Sequence, residues 1–375
     1  IPRSYPATPS MSPSLAATPI HWPDAQRQQA FQTWLAQVAP EHGLWVDSVT
    51  SASADASFRR YFRIRTQGGG TLIIMDAPPQ HEDCRPFVKM ARLLVEGGVN
   101  APRILAWDEA QGFMLLSDLG THTLLSTLVP EAEPWSAQDR DNLARYHAAS
   151  DELIRLQGLA VQDQVPPYDE ALLQRELDLL PQWYLTQLRG LTLNEHQEKA
   201  MARCFAAIKA QVLTQPCVLV HRDFHSRNLM ADPADPKAVP GVIDFQDAVW
   251  GPITYDLVSL IRDAYVTWDE ERQIDLAIRY WEKARQAGLP VREDFGEFWR
   301  DLEWMGLQRH LKVLGIFARL ALRDGKQQYL DDIPRVWRSA HQVCARYQGL
   351  GPLAALLEAA ETKTLGIQRQ TGYTF

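Results

Sequence analysis

Three oxygen-bearing side chains, Asp223, Asn228 and Asp244, stand at spacings that suit phosphoryl transfer. Asp223 and Asn228 lie in the polar loop His221–Asn228, which follows the apolar run Cys217–Val220. A second apolar run, Val239–Ile243, delivers Asp244. Two short buried strands with neighbouring ends would bring the three groups to one point. There an aspartate accepts the proton of an attacking hydroxyl, while an amide oxygen and a carboxylate hold Mg2+ on the phosphates. An isolated Asp-x-x-x-x-Asn carries no such meaning, because turns are rich in both residues. The information lies in the order: His-Arg-Asp after an apolar run, then Asn, then Ile-Asp-Phe after a second run.

Bulk properties bound what can position these groups. The chain has 375 residues, 46% of them hydrophobic, enough for two domains or two lobes sharing a cleft. Net charge is −8 and no basic patch of the nucleic-acid-binding kind is present. Cys84, Cys204, Cys217 and Cys344 are scattered without a C-x-x-C pair. That points to a reducing, cytoplasmic setting and away from a zinc site or disulfide framework. No apolar run approaches membrane-span length, no repeat is evident, and nothing implies a protein partner. Residues 1–20, rich in Pro, Ser and Ala and without the apolar core of a signal peptide, are expected to be a disordered tail. The chain opens on Ile, and Met11 offers an alternative start.

Along the chain, Asp24–Val38 has helical spacing with Ala30, Phe31, Trp34, Leu35 and Val38 on one face. Strands are expected at Leu44–Thr50, Phe58–Arg65, Thr71–Met75, Pro102–Trp107 and Phe113–Leu116. Gln67–Gly70 reads as a hairpin turn rather than a phosphate cradle, because it lies between the second and third strands. A helix at Cys84–Glu96 is ended by Gly97 and Gly98. Helices then dominate: Ser136–Gln157, Glu170–Leu188, Asn194–Leu213, Tyr255–Val266, Glu270–Ala287, Asp294–Leu322 (whole or broken), Ile333–Tyr347 and Pro352–Thr362. This order predicts an α+β chain with a sheet-rich part over residues 21–118, a helical part over 119–375 holding the Asp223 loop, and a cleft at their junction.

The segments HRDFHSRN (221–228), VIDFQDAVWGPITYDLVSL (242–260) and SFRRYFR (57–63) resemble the aminoglycoside-phosphotransferase-like branch of the protein-kinase-like fold. The loop matches H-R-D-x-x-x-x-N and Asp244-Phe245 matches D-F-G, with Gln246 in place of the glycine. More narrowly, LIIMDAPP (72–79), FMLLSDLG (113–120) and GLQRHLKVLGIFARLALRDGK (306–326) are similar to the kinases that act on the anomeric hydroxyl of N-acetylmuramate or N-acetylglucosamine in peptidoglycan recycling. The resemblance implies a two-lobed fold, with a small antiparallel-sheet N-lobe and a larger, mainly helical C-lobe. It implies ATP and Mg2+, with Asp223 as catalytic base and Asn228 and Asp244 as metal ligands. Ser57, Phe58, Arg59 and Arg60 would then meet the phosphates, and Ser117, Asp118 and Leu119 would form the segment whose backbone meets adenine. His221, Arg222 and Asp256 become structural residues near the site, Asp256 capping its helix or bracing the loop.

One departure matters. The third strand lacks the lysine that most kinases place on the α/β-phosphates, and Met75 or Asp76 stands near its place. Arg60 or Arg59 is the expected substitute cation, with Lys89 second; without one, the chain would be a non-catalytic nucleotide binder. Candidate acceptor-site residues are His225, Gln246, Asp247, Arg262 and Arg309. His225 either reaches a sugar hydroxyl or braces the loop. Arg309 lies in an apolar helix, where a charge takes either a structural ion pair, the favoured reading, or a ligand such as the lactyl carboxylate of N-acetylmuramate. Trp250, Trp268 and Trp304 are read as core rather than sugar-stacking residues. The rival acceptor is a polycationic aminoglycoside, for which Asp263, Asp269, Glu270 and Glu271 would supply an acidic cluster.

Overall fold

A computed structural model describes residues 20, 22, 24–54 and 58–371. Residues 1–19 of the predicted tail and Ser57 therefore lie outside the described residues. The chain divides into two compact units, 1–85 with 103–118, and 86–102 with 119–375.

In the first unit, helix α1 (Ala25–His42) starts where the Asp24 carboxylate accepts the Arg27 N–H at 2.6 Å and stops at Gly43, whose φ of 58° is left-handed. Its apolar stripe, Phe31, Trp34, Leu35 and Ala39, is buried against Phe62, Ile64, Ile74, Phe113 and Leu115 of a sheet. That sheet is β1 (Thr50–Ala54), β2 (Arg60–Arg65), β3 (Thr71–Asp76), β4 (Ile104–Asp108) and β5 (Phe113–Ser117), in the order β1-β2-β3-β5-β4 and antiparallel throughout. Tyr61, Met75 and Met114 are paired across β2, β3 and β5, so by alternation they occupy the face away from α1. The side chain of Met75, not of a lysine, stands on that face. Asp76, fully buried on the α1 side, accepts from Arg27 Nε at 2.9 Å and also from the Arg60 guanidinium, tying α1 to β2.

The expected strand Leu44–Thr50 is not formed. Residues 46–48 make a turn of 3-10 helix, Leu44 only bridges to Thr66, and the first strand is the small, polar run Thr50–Ala54. Backbone pairing to β2, with a bulge between Ser51 and Ser53, overrides the weak strand propensity of these residues. Gly112, at φ 70°, is required: a Cβ there would lie 1.9 Å from the Ala77 carbonyl oxygen.

The second unit holds nearly all of α2 (Arg85–Glu96), then α3 (Leu124–Thr127), α4 (Ala137–Gln157), α5 (Glu170–Leu177), α6 (Glu195–Val212), α7 (Thr254–Ile261), α8 (Glu270–Gln286), α9 (Phe295–Leu322), α10 (Ile333–Arg346) and α11 (Gly351–Thr371). Ser136 caps α4 by accepting the Asp139 N–H at 3.1 Å, and Asn194 with Gln197 forms a capping box on α6. The single helix expected over Glu170–Leu188 is instead α5 followed by a π-type stretch, Leu180–Leu188, entered through Pro181, whose missing N–H interrupts the α ladder. α7 ends at Ile261, short of Val266, because the Asp263 carboxylate takes the N–H groups of Ser226 and Tyr265 at 2.9 and 3.0 Å. α9 is unbroken over 28 residues.

Four short strands carry the polar loop. β6 (Cys217–Val220) pairs with β9 (Val249–Pro252), and β7 (Leu229–Met230) with β8 (Gly241–Val242). The expected strand Val239–Ile243 thus shrinks to two residues, and its partner is the apolar pair just after the loop. Among the described residues no helix is long and apolar enough to cross a membrane.

Candidate active site

β6 is fully buried except at Cys217 and feeds directly into His221. The backbone then leaves regular structure with Arg222 at φ 77°, and the chain returns from β8 to Asp244 at φ 65°. Non-glycine residues hold such angles only when their surroundings impose them. Here the impositions are visible. Asp256, buried in the first turn of α7, accepts the N–H of His221 at 2.6 Å and of Arg222 at 3.0 Å. The His221 ring accepts the Asp223 N–H at Nδ1 (3.2 Å) and donates from Nε2 to the Ile243 carbonyl (2.9 Å). One imidazole therefore staples the Asp223 loop to the residue before Asp244. The Ile243 N–H donates to the Asn228 carbonyl at 3.1 Å.

Asn228 and Asp244 meet through their side chains, and Asn228 is tied to the backbone of Asp223. Asn228 Nδ2 donates to Asp244 Oδ2 at 3.1 Å and to the Asp223 carbonyl at 3.1 Å, and Gln246 Nε2 donates to Asp244 Oδ1 at 2.8 Å. With both amide hydrogens so used, the Asn228 amide oxygen is left as an acceptor beside an exposed carboxylate. One neutral and one anionic oxygen fit a hard divalent cation that takes its other ligands from phosphates and water. Among the described residues no cluster of three or more His, Cys, Asp or Glu forms an all-protein metal cage.

Burial alone would raise the Asp223 carboxyl. The groups around it, Lys312 first and then His225, Arg309 and His221, favour its charged form, outweigh burial and hold it at about 2. The strongest of these belongs to a buried network that sequence reasoning missed. Glu176 of α5 accepts from Arg222 (2.6 Å), Tyr168 Oη (2.6 Å) and Gln308 Nε2 (3.0 Å), and lies 2.9 Å from Lys312 Nζ, which also donates to Tyr255 Oη at 2.9 Å. Burial opposes the Glu176 charge, and Lys312 and Arg222 with the Tyr168 hydroxyl hold it at about 2. Its folded value thus lies below the unfolded value of about 4.3. The stabilisation is complete above that value and is lost as pH falls from about 5 to about 2, amounting to about 3 kcal/mol at most. Urea unfolding midpoints measured across that window should fall with pH, and a Glu176→Gln variant should show a shallower decline.

The other predicted residues are distributed as follows. In the first unit, Phe58 is exposed and stacked on His81 at 4.6 Å. Arg59 reaches Glu82 at 3.3 Å and Arg60 binds Asp76. Ser117 Oγ accepts the Arg103 N–H at 2.9 Å, and Asp118 accepts from Arg63 at 2.5 Å and Thr71 at 2.6 Å. In the second unit, Leu119 packs over Gly241, Lys89 donates to the Gln164 carbonyl, and the Asp247 carbonyl takes Arg222 Nη1 at 3.5 Å. Arg262 is committed to Gln273 (2.8 Å) and Glu303 (3.4 Å). His225 packs edge-on against Tyr265 at 5.5 Å. The ion pair favoured for Arg309 is not formed with any described residue; Glu176, the nearby buried acid, already serves Arg222 and Lys312. Lys312, one helical turn beyond Arg309 in the same apolar run, was the available sequence signal for this network. Nothing in the α5 sequence singles out Glu176.

The chain is similar to known kinases and phosphotransferases. The model of the phosphotransferase enzyme family matches residues 48–295. An N-acetylmuramate/N-acetylglucosamine kinase of Neisseria meningitidis serogroup B is 44% identical over 351 residues, 93% of this chain and 100% of that one. A protein of the same name from Pseudomonas aeruginosa is 46% identical over 342 residues, 89% of this chain and 97% of its own. The crystal structure of an ADP-bound aminoglycoside phosphotransferase shares the fold, with TM-score 0.53 and 13% identity, covering 85% of this chain and 99% of that one. The sheet-bearing first unit and helical second unit are an α+β protein-kinase-like fold, and the chain belongs to the phosphotransferase enzyme family.

Proposed function

We propose that the protein transfers the γ-phosphoryl group of ATP to the anomeric C1 hydroxyl of N-acetylmuramate and/or N-acetylglucosamine, giving the sugar 1-phosphate. The observation that carries the reading is the amide of Asn228 on the Asp244 carboxylate and on the Asp223 backbone, in a chain that aligns over about nine-tenths of its length with kinases named for these two sugars. Asp223 accepts the hydroxyl proton. Its low pKa keeps it ionised throughout the neutral range, and the anomeric hydroxyl is more acidic than an ordinary alcohol, so a weak base suffices for a proton that leaves late. Asn228 and Asp244 would hold Mg2+, which supplies positive charge against the phosphates. Gln246 steadies the Asp244 carboxylate. His221 and Asp256 fix the loop, and Arg59 or Arg60, which also pair with Glu82 and Asp76, is the cation proposed in place of the lysine that β3 lacks.

A polycationic acceptor is less well supported, because three of the four acids that would bind it are otherwise engaged. Asp263 is buried on two backbone N–H groups, Asp269 caps α8, and Glu270 pairs with Arg346 at 2.5 Å. A coupled ADP-release assay with Mg2+ over N-acetylmuramate, N-acetylglucosamine and kanamycin tests the reading. Sugar-dependent turnover without kanamycin turnover supports it; turnover with kanamycin alone, or with none, overturns it.

A further inference from the structure

The described residues include four buried arginines, and three have partners. Arg59 pairs with Glu82, Arg262 with Glu303, and Arg145 donates to the carbonyls of Asp232 and Pro233 at 2.6 and 3.0 Å. Arg309 is the most buried, at 3% exposure, yet no described residue forms an ion pair or hydrogen bond with its guanidinium, and its Nη1 is enclosed without an acceptor. A buried cation left in this way is costly unless something anionic completes it. Its place in α9 says what. Gln308 before it and Lys312 one turn after it reach Glu176, the acid that holds Arg222 beside Asp223. Arg309 is itself among the charges that act on Asp223, on His225 and on Tyr265. His225, two residues from Asp223 and joined to it by its N–H donating to the Asp223 carbonyl at 3.0 Å, also has an enclosed ring nitrogen, Nδ1, without a partner.

Resting on the function proposed above, we propose that Arg309 is the specificity-determining residue that receives the acceptor's carboxylate, with His225 offering a second polar contact on the same side of the Asp223 loop. Of the two sugars, N-acetylmuramate carries a lactyl carboxylate and N-acetylglucosamine carries none. A planar guanidinium can bind a carboxylate through two parallel hydrogen bonds, whereas lysine offers only a point charge. The site thus admits a neutral sugar and gains affinity for the acidic one, whose carboxylate gives the guanidinium the direct partner that no described residue supplies.

The test is the ratio of kcat/KM for N-acetylmuramate to that for N-acetylglucosamine. Arg309→Gln should lower this ratio by about 10- to 100-fold, the factor expected for losing a charge-assisted pair, mainly through KM. Arg309→Lys should recover part of it. Equal losses on both sugars, leaving the ratio unmoved, would overturn the proposal and assign Arg309 a structural role. A measurement on the unaltered protein avoids any folding defect: the methyl ester of N-acetylmuramate should be used at least about tenfold less well than the acid, and equal use would overturn the proposal. If the unaltered protein phosphorylates neither sugar, the functional reading itself fails, an outcome distinct from turnover of both with an unchanged ratio.

Discussion

Asp223→Asn should lower kcat by about 10³-fold, equivalent to about 4 kcal/mol of barrier, while nucleotide affinity changes by less than about threefold. The substitution keeps the shape of the side chain and removes its charge and its ability to take a proton. The surrounding loop does not depend on the carboxylate. It is held by backbone groups: the Asp223 N–H on His221, the Asp223 carbonyl on Asn228 Nδ2, and Asp256 on two N–H groups upstream. Nucleotide binding by fluorescence titration and turnover by ADP release separate the two effects. A variant that binds and turns over normally would remove Asp223 from the chemistry. Because the carboxyl is held at about 2, kcat/KM of the unaltered enzyme should also show no acid limb from this residue between about pH 6 and 8.

Lys312→Met is the second large effect. Lys312 is buried between Glu176 and the Tyr255 hydroxyl, and its own pKa is pushed up: burial opposes its charge, but Glu176 and Tyr255 outweigh that. Removing it leaves a buried carboxylate with one fewer countercharge, which should cost about 3 kcal/mol of stability. The urea midpoint reads this directly. The double variant Lys312→Met with Glu176→Gln should recover most of the loss, since both charges are then gone; independent, additive losses would show that the pair is not coupled. Lys312 is also the largest of the charges holding Asp223 down, so any acid limb in the pH–rate profile should move upward in the single variant.

Much of this arrangement was readable from local pattern. The order His221-Arg222-Asp223, Asn228, Ile243-Asp244 survives as geometry because the three functional groups sit within one loop and one return strand, and short connections leave little freedom. The helix starts at Ser136 and Asn194 were readable for the same reason, each fixed by a cap that acts over three residues. What was hidden is set by distant parts of the chain. β1 is a strand only because β2 lies beside it, not because Thr50–Ala54 prefers extended backbone. The β7–β8 pair joins residues a dozen apart across a polar loop. Glu176 and Lys312 meet across more than a hundred residues, and no periodicity announces such a meeting. Arg309 was visible as a charge in an apolar helix, but whether a partner awaited it is a tertiary fact.

The most direct test of the account is the identity of the product. With N-acetylmuramate or N-acetylglucosamine enriched in carbon-13 at C1, and ATP and Mg2+ present, carbon NMR should show the anomeric signal split by coupling to phosphorus as ADP accumulates. A C1 signal that stays unsplit while ADP accumulates, whether the phosphate has gone to another position or no sugar is phosphorylated, would contradict it.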